Sequence, residues 1–463
     1  MSLTKIKWIK RFEPLNSERL LESVYQTTDW LDQYSHLVDG KLHFDVLPGK
    51  EVEEGALLLS DKGLYGGGAG IALLYLRIYV ATKDEGWLDK SRRALAYVID
   101  DYKGVELEKA PAPFLGGAKV GFLNGPAGGA YVASLIDRYT GENRYETFVK
   151  QVTDDVFKAS HKEDKGNTWY GFYGMLGEGG LILFFIYAYE TYKDASYLEY
   201  AVATADYVAN SKEDAPQGGY RWNAMPTESF PTIGKPGGYF PGFEYGAAGC
   251  GYLLAKIYEI TKEEKYLEIA KGAAQYILNV ADYSDDNEAA LVRYNDTYLT
   301  DLYYLGVCQG PIGTSRLFYE LYKITGQDKY RDFVIQLTNG ILAAGAPSKH
   351  SEGYWRTNCY CCGAAGMLEH FINVHKLTGQ DMYLDAAYEA AETLIGESTV
   401  NNGVRNWYTA WNRHEPETSD PYIGLYHGSA GCASALLSLS HYINTKGNLP
   451  PYLEDPYQSL YTN

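Results

Sequence analysis

Gly67-Gly68-Ala69-Gly70-Ile71-Ala72-Leu73-Leu74-Tyr75-Leu76 opens a pattern that recurs along the whole chain. Its kernel is a G-x-x-G element followed by an apolar run. Six further copies stand at Gly125-Pro126-Ala127-Gly128, Gly177-Glu178-Gly179-Gly180, Gly246-Ala247-Ala248-Gly249, Gly310-Pro311-Ile312-Gly313, Gly363-Ala364-Ala365-Gly366 and Gly428-Ser429-Ala430-Gly431. A second marker fixes the period. Seventeen residues after the last glycine of the first six copies stand Trp87, Tyr145, Tyr197, Tyr266, Tyr330 and Tyr383. The seventh count lands on Asn448, shortly before Pro450 and Pro451. One G-x-x-G carries no weight, but six with the same downstream aromatic define an internal repeat.

Each unit reads as a helical hairpin. The glycines open a first helix of about twelve residues that is apolar nearly all round and therefore buried. A turn follows, written Thr140-Gly141, Thr325-Gly326 and Thr378-Gly379 in three units, as suits a helix C-terminus. The second helix begins at the aromatic, as in Tyr266-Leu267-Glu268-Ile269-Ala270, and carries a charged outer face. Seven such pairs predict an all-α fold, an α/α toroid (barrel) of seven helical hairpins with inner and outer helix rings. The expected organisation is a single domain over residues 1–463, with repeats from about 63 to 445 and an N-terminal helical extension over 1–55. Long loops before each G-x-x-G, such as Gln217 to Phe243, gather on one face. The residues just before each element, among them Asn124, Tyr245, Gln309, Cys362 and His427, then face a shared central cavity.

A chain of 463 residues is long for one domain, and a repeat fold resolves that. The formal net charge of −18 argues against nucleic acid as a partner. The 44 tyrosines suit packing between helices with a polar tip kept bonded. Residues 1–20 hold Lys5, Lys7, Lys10, Arg11 and Glu13 without an apolar stretch, so no leader is expected. No apolar run reaches the length of a membrane span. The six cysteines are too few for a disulfide framework and three crowd into Cys359-Tyr360-Cys361-Cys362, which suits a cytoplasmic chain with a metal or reactive thiol.

The repeat gathers some of these thiols. Cys308 stands at the start of the fifth inner helix and Cys361 and Cys362 at the start of the sixth. Neighbouring repeats are neighbours in the ring, so three soft ligands converge on one place suited to Zn²⁺. Helix N-termini there favour thiolate. Cys250 and Cys432 read as buried, inert thiols.

These residues resemble the LanC-like family, the lanthionine cyclase-like proteins. Gly63-Leu64-Tyr65 followed by Ala69-Gly70-Ile71-Ala72-Leu73-Leu74 is similar to the family's first repeat. Cys308-Gln309-Gly310 with Arg316 resembles its first zinc motif, and Cys361-Cys362-Gly363 its second, in the Cys-Cys-Gly form of a subset of cyclases. The resemblance, from about Gly63 to Tyr442, implies zinc on Cys308, Cys361 and Cys362 with a fourth position open. It implies a thiol held as thiolate and added to the β-carbon of a dehydroamino acid, giving a thioether and an enolate that must be protonated. Three thiolates leave such a site at formal charge −1, which should make a hotter nucleophile than a two-cysteine, one-histidine site.

Two departures matter. The histidine usual before the fourth G-x-x-G is Tyr245 here, and the acid usual before the second is missing from Gly121-Phe122-Leu123-Asn124. His427, before the seventh element, is then a candidate proton donor. Tyr245 is another, though a phenol near 10 is less suited. Arg316 either binds a carboxylate or pairs within its helix. The expected catalytic residues are Tyr245, His427 and Arg316, with Glu244, Asn124 and Gln309 as substrate-binding residues. If Cys359 also reaches the metal, the site is closed and structural.

The expected substrates are a dehydrated peptide cyclised on itself, or a small thiol such as glutathione added to dehydroamino acids. A non-catalytic zinc-containing peptide or small-molecule binder is the second reading. An α/α-barrel carbohydrate-active enzyme is the third; it needs a carboxylate pair about 5–10 Å apart, with Glu178, Glu244 and Asp301 as candidates.

Overall fold

The computed structural model describes residues 15–50, 60–100, 102–105, 120–224, 238–297, 300–349, 357–410 and 417–448. The basic stretch before residue 15, half of the Gln217–Phe243 loop and the closing prolines lie outside the described residues.

Seven helices form an inner ring: α2 (Gly68–Thr82), α4 (Pro126–Thr140), α6 (Glu178–Tyr192), α8 (Ala247–Thr261), α10 (Pro311–Thr325), α12 (Ala364–Thr378) and α14 (Ser429–Asn444). Each packs on the next, and α14 returns to α2, so the ring closes. Nearly every residue of their first three turns is buried, which is why these segments read as apolar on all sides. The outer ring is α3 (Glu85–Asp100), α5 (Glu146–Lys158), α7 (Ala195–Asn210), α9 (Glu264–Val280), α11 (Asp328–Ala343) and α13 (Asp381–Glu397), each lying on the inner helix before it. These helices bury one stripe and begin within two residues of the marker aromatics.

The expected N-terminal extension is the seventh outer helix. α1 (Ser17–Gln33) lays Leu20, Val24, Thr27 and Leu31 on α14, and its Ser17 hydroxyl lies 2.7 Å from that of Ser440. The seventh repeat therefore lacks its own downstream aromatic because its cover comes from the other end of the chain.

The glycines answer a packing demand. A Cβ on the last glycine of six elements would stand 1.9–2.4 Å from the carbonyl oxygen six residues earlier, as at Gly249 against Phe243 and Gly313 against Val307. Each inner helix thus starts flush against its own preceding loop. The far ends behave differently. Gly141, Gly326 and Gly379 take left-handed φ of 72°, 66° and 67°, while Lys83, Lys193 and Lys262 do so in the units without Thr-Gly, a conformation costing roughly 1 kcal/mol or more outside glycine.

Short antiparallel pairs, unforeseen because each strand is two to four residues long, follow several outer helices: β3 (His161–Glu163) with β4 (Gly166–Thr168), β5 (Glu213–Asp214) with β6 (Tyr220–Arg221), β7 (Asp282–Tyr283) with β8 (Ala290–Leu291), and β9 (Thr399–Asn401) with β10 (Val404–Asn406). β1 (Ser35–Val38) and β2 (Lys41–Phe44) do the same after α1. Three are pinned alike. The indoles of Trp169, Trp222 and Trp407 donate to the carbonyls of Val156, Val208 and Leu394 at 2.7–2.8 Å. These buried tryptophans fix the loops that descend to the inner helix starts.

Glu178 organises one such loop. Its Oε1 accepts from the Thr168 hydroxyl at 2.7 Å and from the backbone N–H groups of Trp169, Tyr170 and Gly171 at 3.2, 3.0 and 2.9 Å. Glu178→Gln is expected to destabilise the protein by about 2–3 kcal/mol, because charge-assisted bonds weaken and an amide donor meets buried donors. The urea midpoint of unfolding checks it.

Candidate metal centre

The inner helix starts meet at one end of the ring, and the fifth and sixth are tied by backbone. Val307 N–H and Cys308 N–H both donate to the Cys361 carbonyl, at 2.8 and 3.2 Å. Cys361 N–H donates to Tyr426 of the seventh unit at 2.9 Å, and Phe243 and Glu244 N–H of the fourth donate to the Cys308 carbonyl at 3.0 and 2.7 Å. Adjacent turns are thus stitched in order around the axis.

This stitching gathers the sulfurs of Cys308, Cys361 and Cys362, all within 4.8 Å of one another. Cys308 and Cys362 approach to 3.3 Å. All three are unbridged thiols; Cys308 and Cys361 are buried and Cys362 is partly exposed. Sulfurs bound tetrahedrally to zinc at about 2.3 Å stand about 3.8 Å apart. The donor set and its spacing therefore fit a soft divalent ion, and no other such cluster occurs among the described residues.

The thiols influence one another. Hydrogen bonds from Cys361 and Cys362 pull the Cys308 thiol down to about 7, against the opposing effect of burial. The same contacts hold Cys361 and Cys362 well above the usual thiol range.

Glu244 stands beside them. The Cys361 thiol donates to its Oε1 at 3.4 Å, and burial, then the charge of Cys361, hold its carboxyl well above the ordinary range. Tyr245, next in sequence, points its hydroxyl at that of Tyr294, 2.8 Å away. Both rings sit in a small buried cluster with Phe172, Ala224 and Phe240. Tyr294 was not singled out from the sequence; it lies between repeats, in a loop with no motif to mark it.

His427 is buried against Tyr65 and Tyr422, with ring centroids 6.3 and 5.0 Å away. It faces Cys359, the fourth thiol of the neighbourhood. Burial alone would raise that thiol, but hydrogen bonds from Cys362 and His427 bring it well below the usual range. Cys359 also accepts from the Thr357 hydroxyl at 3.2 Å and Cys362 N–H at 3.4 Å. It lies outside the group of three that meet at one point.

The other expected site residues are more dispersed. The Arg316 guanidinium lies 5.5 Å from the Phe243 ring centroid. Its charge acts on buried His370, which burial already drives down to about 3. The Gln309 side chain is wholly buried, its Oε1 close against Gly242, and neither amide atom has a hydrogen-bond partner among the described residues. Asn124 lines a separate cavity of 360 Å³ with Lys62 and Tyr102. Of the acids a carbohydrate enzyme would need, Glu178 is committed to its loop, Glu244 to Cys361, and Asp301 is exposed.

The sequence profile of the lanthionine synthetase C-like protein family matches residues 60–453. The chain belongs to that family. None of the curated proteins compared with this LanC-like chain matches it. Among solved structures, cellobiose 2-epimerase from Bacillus thermoamylovorans B4167 is 11% identical, with TM-score 0.52 over 93% of this chain and 99% of its own. The GH76 α-mannanase BT2949 of Bacteroides thetaiotaomicron is 12% identical, with TM-score 0.49 over 94% and 98%. Nisin cyclase is 16% identical, with TM-score 0.40 over 83% and 78%. The epimerase likeness shows the shared α/α toroid; the two weaker ones add no argument. No helix among the described residues of the LanC-like chain is long and apolar enough to cross a membrane.

Proposed function

We propose that this LanC-like chain forms thioethers by adding a thiol to the β-carbon of a dehydroamino acid, with Zn²⁺ held by Cys308, Cys361 and Cys362. The observation that carries the reading is the convergence of three unbridged sulfurs from two adjacent repeats within 4.8 Å in a chain of this family. When bound there, zinc supplies Lewis-acid stabilisation of a substrate thiolate.

The protein's own groups do the rest. The addition leaves an amide enolate, a far stronger base than a phenolate, so a tyrosine is acidic enough to quench it. Tyr245 is the assigned proton donor: its hydroxyl is oriented by Tyr294, and burial and then the charge of Tyr294 keep it protonated well above its ordinary range. His427 is assigned to Cys359 instead, and Arg316 to holding the inner helices behind the site. Glu244, which accepts from Cys361, and Gln309, which follows Cys308, are assigned to the substrate. We read residues 1–463 as one domain, because α1 completes the ring that α14 closes. Six unbridged thiols suit a reducing compartment such as the cytoplasm.

The test is a purified protein given glutathione and a dehydroalanine peptide, with adducts counted by mass spectrometry. A zinc-dependent adduct is expected; the same yield without protein or without zinc would reject the reading. Tyr245→Phe is expected to lower kcat about 100-fold with KM little changed, the size of one general acid. A phenol in place of imidazole also favours the second reading, a zinc-containing binder without turnover. Binding of a dehydrated peptide with no adduct would select it.

A further inference from the structure

We propose that Cys308 and Cys362 are a disulfide-forming pair, so that oxidation of the metal-free protein joins the fifth and sixth repeats and removes two of the three sulfurs from the metal centre. The proposal stands on the thiol geometry and does not depend on the thioether reading.

Four observations carry it. The two sulfurs stand 3.3 Å apart, so a bond of about 2.05 Å needs an approach of only about 1.3 Å. The backbones are already held together by the bonds from Val307 and Cys308 N–H to the Cys361 carbonyl, and Gly306 lets the Cys362 backbone approach closely, since a Cβ there would stand 2.5 Å from the Cys362 Cα. Of the four neighbouring thiols only Cys362 is partly exposed, so a small oxidant meets it first. The other two thiols have partners outside the pair as well: Cys361 donates to Glu244 at 3.4 Å, and Cys359 accepts from the Thr357 hydroxyl and the Cys362 N–H.

With hydrogen peroxide as oxidant the chemistry balances. The Cys362 sulfur attacks one peroxide oxygen, the O–O bond breaks, and water leaves with the thiol proton, giving a sulfenic acid. The Cys308 sulfur then attacks that sulfur, the S–O bond breaks, and a second water leaves with the Cys308 proton. Two thiols lose two electrons and one peroxide becomes two waters. A thiol reductant reverses the step by exchange.

The experiment treats the metal-free full-length protein with one equivalent of hydrogen peroxide and maps it without reduction. The expected result is the loss of two hydrogens in mass, with the peptide holding Cys308 linked to that holding Cys362, and restoration by dithiothreitol. Zinc added beforehand should slow the cross-link by at least about tenfold, since coordinated thiolates are shielded. Zinc added afterwards should not bind, as read by a colorimetric chelator. Cys359→Ser should keep the cross-link and Cys308→Ser abolish it; circular dichroism reports whether each variant folds, and the wild-type map decides if one does not. A predominant Cys359–Cys362 link, or oxidation of Cys362 to sulfinic acid with no link, would overturn the proposal.

Discussion

Cys361→Ala is expected to take the protein from about one zinc per chain to almost none and to abolish thioether formation. Cys361 is the middle of the arrangement in both senses. Its carbonyl receives Val307 and Cys308 N–H, and its sulfur lies among Cys308, Cys362 and the Glu244 carboxyl. The alanine keeps the backbone bonds, so the fold should survive and the loss should be local. Changes merely behind a metal ligand lower affinity about 10–100-fold; removing a ligand should lower it by more than about 100-fold. Metal analysis by mass spectrometry and the adduct assay report the two effects separately. Full zinc with full activity in the variant would show that Cys361 is no ligand.

Gly313→Ala is expected to be among the most damaging glycine-to-alanine changes in the described residues. Its Cβ would stand 1.9 Å from the Val307 carbonyl oxygen and 2.5 Å from the Phe243 Cβ, so backbone must move on one side and a packed ring on the other. Overpacking of this kind costs typically 1–3 kcal/mol, and with backbone in the clash about 3–5 kcal/mol is expected. Val307 precedes Cys308, so the displaced turn should also loosen zinc. Gly379→Ala is the matched control. There the φ is +67° and nothing lies within 4 Å of the added carbon, so about 1 kcal/mol is expected. Denaturant unfolding ranks the two. Equal small losses would mean that the inner helix starts are not set by close approach.

The contrast explains what the sequence could disclose. The inner ring was legible because each of its helices meets the same obstacle, its own preceding loop, and only glycine clears it. The cluster of three thiols was legible because it is built on two of those repeated starts. Two kinds of feature were not. The seventh outer helix comes from Ser17–Gln33, and a periodic count along the chain cannot reach across a closed ring to its first helix. The Tyr245–Tyr294 contact joins a ring position to a loop residue with no periodic neighbour. Arg316 shows a third limit: its spacing from Cys308 is legible, but the direction of its guanidinium, over Phe243 and toward His370, follows from packing between inner helices.

X-ray absorption at the zinc edge of the full-length protein tests the central claim most directly. The account predicts about one zinc per chain with three sulfur neighbours at about 2.3 Å and one lighter neighbour, and two sulfurs in Cys362→Ser. Zinc surrounded by nitrogen and oxygen alone, or a protein that takes up none while its six thiols stay reduced, would contradict it.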